Sequence, residues 1–133
     1  MKASRVEIRD RTDVVTARRD GRDMARALGF GSADQTRLAT AISELIRNVI
    51  QYAGFGFCVI ENASSPEFVE VRVVVGDSGP GIPDLQEALR DGFSTGGGLG
   101  SGLPRTRRLV HSLDIISEPG NTRVEITVRR SRS

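Results

Sequence analysis

Leu38-Ala39-Thr40-Ala41-Ile42-Ser43-Glu44-Leu45-Ile46-Arg47-Asn48-Val49 is the stretch from which the rest of the chain is read. Leu38, Ile42, Leu45, Ile46 and Val49 recur at three- and four-residue intervals, the period of a helix with one buried face. Ser32 followed by Gln35 has the spacing of a capping box, so the helix is expected to start there and to run to Tyr52-Ala53-Gly54. Glu44 and Asn48, four residues apart, lie one above the other. At ~100° per residue their shared face borders the apolar stripe, which places the pair at the edge of the core. An Asn oxygen there can ligate Mg²⁺, while a Glu can accept a proton from a nucleophile. Taken alone, the pair reads more simply as polar residues on an amphipathic helix.

The flanking segments alternate between two periodicities. Val6 and Ile8, set among charged neighbours, read as a short strand. Val14, Val15, Arg18, Met24, Ala25 and Leu28 follow as an amphipathic helix ending at Gly29. Phe55 to Glu61 and Phe68 to Val75 read as adjacent antiparallel strands joined by a polar turn. Pro83-Asp84 opens a short helix to about Leu89, and Pro104 is expected in the first turn of another, striped by Leu103, Thr106, Leu109 and Val110. Leu113 to Ser117 and Thr122 to Val128 close the chain as a hairpin around Glu118-Pro119-Gly120-Asn121. The order β-α-α-β-β-α-β-β, with no repeat or linker, predicts one domain over residues 1–133. Its economical architecture is α/β: a two-layer sandwich with helices against one mixed sheet.

The composition excludes several classes. Hydrophobic residues at 38% and charged residues at 27% fit a soluble globular domain. No apolar run approaches the ~20 residues of a membrane span, and nothing from Met1 to Asp10 resembles a signal peptide, so a cytoplasmic protein without membrane contact is expected. Cys58, the single cysteine, reads as a small buried hydrophobe. A net charge of +2 and few aromatics leave no case for nucleic acid, and the arginines at 105, 107 and 108 and at 129, 130 and 132 read as solvated faces.

Two glycine-rich stretches follow. Gly96-Gly97-Gly98-Leu99-Gly100-Ser101-Gly102 precedes a helix and leaves backbone N–H groups free to meet phosphate, although such a run is equally a linker. Asp77-Ser78-Gly79-Pro80-Gly81 ends an apolar strand and can set one carboxylate in a pocket, where it would accept a hydrogen bond from an adenine amino group; alone, it is an ordinary turn. The chain contains neither G-x-x-x-x-G-K-[ST] nor G-x-G-x-x-G, so a phosphate site here is neither a P-loop nor a dinucleotide fold. His111, the only histidine, reads as structural or surface.

Glu44-Leu45-Ile46-Arg47-Asn48, Asp77-Ser78-Gly79-Pro80-Gly81, the glycine run and Gly120-Asn121-Thr122 occur in the order of the N box and glycine boxes of the GHKL ATPase and kinase superfamily, which the chain resembles. Leu28-Gly29-Phe30-Gly31, Thr40 to Leu45, Tyr52-Ala53-Gly54, Gly79 to Asp84 and Asp91-Gly92-Phe93-Ser94-Thr95 are similar to the RsbT-type serine-protein kinases of bacterial stressosomes, and the likeness runs from about Val6 to Val128. The resemblance implies a Bergerat fold with a mixed, mostly antiparallel sheet covered on one face by helices. It implies ATP and Mg²⁺ as cofactors, and a serine on a STAS-domain scaffold or antagonist as the phosphoryl acceptor. A downstream effector, such as a phosphatase or another signalling enzyme, would be the later partner.

By the same resemblance Glu44 is the general base, Asn48 the Mg²⁺ ligand, and Asp77 with Thr122 the adenine-recognising pair. Gly79 and Gly81 would line the nucleotide, and Gly96, Gly97, Gly98, Leu99, Gly100, Ser101, Gly102 and Leu103 would form a phosphate-covering lid. No Lys or Arg lies between Gly92 and Pro104, so positive charge at the γ-phosphate must come from Arg105, from elsewhere in the fold, or from the partner. An anti-sigma-factor kinase that holds a sigma factor, and a non-catalytic ATP-gated binding module, are the rival readings. Glu44 argues against the module, because nucleotide binding needs no base.

Overall fold

The computed structural model describes residues 3–78, 99–118 and 120–132. Five strands and three helices follow in chain order: β1 (Ser4–Ile8), α1 (Arg11–Ala27), α2 (Ser32–Tyr52), β2 (Gly56–Asn62), β3 (Phe68–Asp77), α3 (Leu99–Leu109), β4 (Ser112–Glu118) and β5 (Asn121–Ser131). The strands form one sheet in the order β1-β2-β3-β5-β4. The sheet, expected to be mixed and mostly antiparallel, is antiparallel at each of its four described pairings: β2-β3 and β4-β5 are hairpins, β1 is joined to β2 through α1 and α2, and β5 lies between β3 and β4. The helix expected from Pro83 lies outside the described residues.

Alternation along the strands sets the core. Val69, Val71, Val73 and Val75 of the central β3 are buried, as are Cys58 and Ile60 of β2 and Val124, Ile126 and Val128 of β5. Leu38, Ile42, Leu45, Ile46 and Val49 bring the predicted stripe of α2 onto this face. On the other face Phe57 lies against Gly76 beneath the Arg5 guanidinium, 4.5 Å from the ring centre, and Arg72 bonds Glu61 at 2.6 Å. The sandwich therefore has two layers, with helices on one side of the sheet.

Three local expectations are corrected. The capping box is found on α1, where Asp10 accepts from the Thr12 N–H and Asp13 reaches back to the Asp10 N–H. On α2 the cap is Gly31, without a side-chain bond, and Ser32 is already helical; buried Phe30 sets the entry, its carbonyl taken by the Gln35 side chain. Val15, placed on the apolar stripe of α1 by its spacing, is 52% exposed, and Ala17 and Gly21 hold the buried positions in its stead. Pro104, expected in a first turn, sits inside α3, which begins five residues earlier within the glycine run. Its ring nitrogen withholds the bond due to the Gly100 carbonyl, a loss confined to the first turn, while buried Leu103 and Thr106 anchor the helix beside α2.

Gly29 ends α1 with φ +84°, a conformation costly for any residue with a Cβ. The chain turns there, and Arg130 of β5 donates to the Leu28 carbonyl at 2.8 Å, bringing a cation to the negative end of the helix.

Candidate active site

The site grows from the C-terminal half of α2 and the strand ends beneath it. Glu44 sits on the core's edge, its side chain 15% exposed. Its Oε1 accepts from Arg105 Nη1 of α3 at 3.0 Å and lies 3.5 Å from Arg47 Nη1, one helical turn along α2. Both arginines meet Oε1, and among the described residues no hydrogen bond or ion pair engages Oε2. Asn48, one turn further on, is half-buried on the same face.

Asp77 is the last residue of β3. It pairs with Gly56 of β2 on one side and Thr122 of β5 on the other, and Thr122 in turn pairs with Ser117 of β4. These residues form a row across one end of the sheet. Thr122 is buried at 7% exposure, and its hydroxyl bonds Ser117 Oγ at 3.0 Å. Gly56 brings the row under α2: a Cβ there would collide with the Gly76 carbonyl and stand 2.9 Å from Val49 and 3.2 Å from Asp77 Cβ. The absent side chain lets the helix carrying Glu44 and Asn48 descend onto the strand end carrying Asp77.

The structure thus brings Asp77 and Thr122 together and sets Glu44 one turn from Asn48. Leu103 is spent in the core at 1% exposure, leaving only its backbone for a ligand. Leu99, Gly100, Ser101 and Gly102, expected in a lid, are helical and form the first turn of α3. Gly79, Gly81, Gly96, Gly97 and Gly98 lie outside the described residues. His111, expected to be structural or surface, is exposed and accepts from the Arg129 N–H at Nδ1, 3.1 Å away. Ser117 escaped the sequence reading, although its place opposite Thr122 follows from the hairpin register. So did the arginine pair on Glu44, whose Arg105 arm spans 61 residues and has no local signature.

Among the described residues no three His, Cys, Asp or Glu side chains gather where they could hold a metal. A divalent ion at Asn48 would depend on phosphate oxygens and water for its remaining ligands, which suits Mg²⁺ and its reluctance to shed water. Among the described residues no helix is long and apolar enough to cross a membrane.

Residues 33–132 match the family model described as histidine kinase-, DNA gyrase B-, and HSP90-like ATPase. The chain is 46% identical over 115 residues to a serine/threonine-protein kinase, RsbT, of Bacillus subtilis (strain 168), covering 86% of each chain. It superposes on a crystal structure of the RsbU and RsbW domains of a Mycobacterium tuberculosis protein with TM-score 0.68 and 20% identity, over 98% of this chain and 33% of that one. A mycobacterial sensor histidine kinase, MprB, gives TM-score 0.58 and 20% identity over 97% of both chains. These two likenesses show a shared fold.

Proposed function

The chain belongs to the histidine kinase-, DNA gyrase B- and HSP90-like ATPase family, as a GHKL-type serine/threonine-protein kinase, and from that premise we propose what it phosphorylates and how. It transfers the γ-phosphoryl group of ATP to a serine of a STAS-domain partner in the cytoplasm. Once that partner is modified, the kinase is released to bind a downstream signalling enzyme. The observation that carries the reading is a half-buried carboxylate, Glu44, held by two arginines one helical turn from Asn48.

Bound ATP supplies the phosphoryl group, and Mg²⁺ neutralises charge that spreads over it in the transition state. Asn48 presents its side-chain oxygen to the ion. Asp77 accepts from the adenine amino group, and Thr122, oriented by Ser117, adds a hydroxyl beside it. Glu44 takes the serine hydroxyl proton on Oε2 as the serine Oγ joins the γ-phosphorus and the bond to ADP breaks. Arg47 and Arg105 hold Oε1 and so aim the free oxygen. Arg105, in the second turn of α3 and bonded to Glu44, would also add a cation for the developing charge. The anti-sigma-factor alternative has less support, since the RsbW-containing neighbour is similar only in fold.

The test uses labelled Mg-ATP and the STAS-domain proteins of the same organism. Wild-type protein should label a serine on one of them, whereas Glu44→Gln should transfer at least ~10²-fold more slowly with ATP affinity unchanged. Equal transfer by the variant would reject Glu44 as the base, and no labelling of any STAS-domain protein would reject the substrate class.

A further inference from the structure

Two serine–threonine pairs face each other across the β4–β5 hairpin. Ser112 and Thr127 bring their hydroxyls to 2.6 Å, and Ser117 and Thr122 bring theirs to 3.0 Å. Their surroundings differ. Ser112 is exposed, and side-chain alternation puts its pair on the sheet face away from the helices, where water can serve both groups. Thr122 is buried and shares its face with Val124, Ile126 and Val128, while Ser117 shares its own with Leu113 and Ile115 at the edge of the core. Asp77 adjoins Thr122 on that same face, in line with Val73 and Val75. Asp77, Thr122 and Ser117 therefore stand side by side in the row at the end of the sheet. Among the described residues Ser117 is the one hydrogen-bond partner of the Thr122 hydroxyl.

The direction of that one bond fixes what Thr122 can offer a ligand. Of two hydroxyls 3.0 Å apart one donates, and the acceptor is left to turn its own proton elsewhere. A Thr122 that donated to Ser117 would show the pocket lone pairs only, so that with the Asp77 carboxylate the row would offer two acceptors. Two acceptors match the N1–H and 2-amino groups of guanine. A Thr122 that accepts from Ser117 must donate in its turn, and the row then offers one acceptor and one donor. These match the 6-amino group and N1 of adenine. The carboxylate decides between the two arrangements: its negative charge turns the positive end of the Thr122 O–H dipole towards Asp77 and away from Ser117.

We propose that Ser117 is a positioning residue that makes the site selective for adenine over guanine: it donates to Thr122 Oγ1 and so obliges the Thr122 O–H to donate towards N1 of the base, while Asp77 accepts from the 6-amino group. This rests on the kinase reading for the presence of ATP and for the place of Asp77 and Thr122 at its base. Ser117 itself touches no nucleotide. It acts as a choice between bases, so loss of its hydroxyl should be felt in discrimination and not in the fold or in phosphate binding. Without Ser117 as donor, Thr122 can turn either way, and guanine is no longer opposed at N1.

The test is isothermal titration calorimetry of the full chain with the magnesium complexes of ATP, GTP and 1-deaza-ATP, in which a C–H replaces N1. Wild-type protein should bind ATP at least about tenfold more tightly than either of the others, the effect of one directed hydrogen bond lost or opposed. Ser117→Ala should bring ATP and 1-deaza-ATP to within about threefold of each other and narrow the ATP-to-GTP ratio to a similar degree. Ser117→Thr, which keeps the hydroxyl, should retain the wild-type ratios. Ser112→Ala, which removes the exposed pair of the same hairpin, should change no affinity by more than about twofold. Urea midpoints show whether each variant is folded. If Ser117→Ala is not, Ser117→Cys, a weaker donor of similar size, is read in its place and should narrow the same ratios. A folded Ser117 variant that weakens all three nucleotides equally has lost only structure and would overturn the proposal, as would ratios left unchanged, a wild-type preference for GTP, wild-type indifference to 1-deaza-ATP, or Thr122→Val with unaltered discrimination. Absence of ATP binding to the wild type would remove the kinase reading and this inference with it, whereas ATP binding and serine transfer with no effect at Ser117 would remove the inference alone.

Discussion

Cys58 shows how far one residue is decided by its surroundings. It lies on the core face of β2 with no exposure, and burial pushes its thiol from 9.0 up to about 12, with the Asp20 carboxylate adding to the rise. The folded pKa is raised and the thiol is neutral when protonated, so folded and unfolded chains are protonated alike below pH 9. Between pH 9 and 12 the unfolded chain ionises first, and stability falls with rising pH. At pH 10.5 the loss should reach ~2 kcal/mol relative to pH 8, and Cys58→Ala should abolish that increment while lowering stability at pH 8. Urea unfolding of both proteins at the two pH values measures it. A thiol reagent at pH 8 should label the native chain far more slowly than the unfolded one.

Among the elements, α1 depends most on a distant strand. Its N-terminus is self-contained, since Asp10 and Asp13 complete the cap locally. Its C-terminus needs Arg130, which donates Nη2 to the Leu28 carbonyl and lies 5.7 Å from the Phe30 ring centre. Arg130→Ala should destabilise the protein by about 1.5–3 kcal/mol, the range for a hydrogen bond to a charged donor, as read from denaturant midpoints. Arg130→Lys should recover part of this, since an ammonium reaches a carbonyl but cannot lie flat on the ring. The same dependence limited the reading of α1 from sequence. The cap was written in adjacent residues, but Val15 matched the helical period as well as Ala17 did. Only the position of α2, which admits nothing larger than Gly21 beside Ile42, decides which side of α1 is inside.

At the scale of the molecule, the candidate site joins α2, the end of the sheet and α3, so nucleotide bound there should hold all three together. Mg-ATP at ~100 times its dissociation constant should stabilise the fold by about 2.7 kcal/mol, seen as a rise in unfolding temperature. Asp77→Asn should lose much of that rise if Asp77 accepts from adenine, because the amide is uncharged and keeps only one acceptor oxygen, with an NH₂ donor in place of the other. A full shift in the variant would remove Asp77 from the site. The elements that carry the groups named for chemistry were legible in the chain, because α2 repeats its apolar stripe from Leu38 to Val49 and the valines of β3 alternate up to Val75, two residues before Asp77. Their connections were not legible. Arg105 reaches Glu44 across 61 residues, and Gly56 matters only because β2, β3 and α2 converge on it.

Periodicity and turn chemistry thus determined by themselves the order of the elements, the buried stripe of α2, the two central strands and the terminal hairpin, since these depend on neighbours within a few residues. The tertiary structure alone decided the antiparallel order β1-β2-β3-β5-β4, the entry of α2 at Gly31, the arginine clamp on Glu44 and the exposure of Val15. The physical reason is the same in each case. Local energies select an element and its two faces, but which face is buried, and which charges meet, depends on segments that folding brings together from far along the chain.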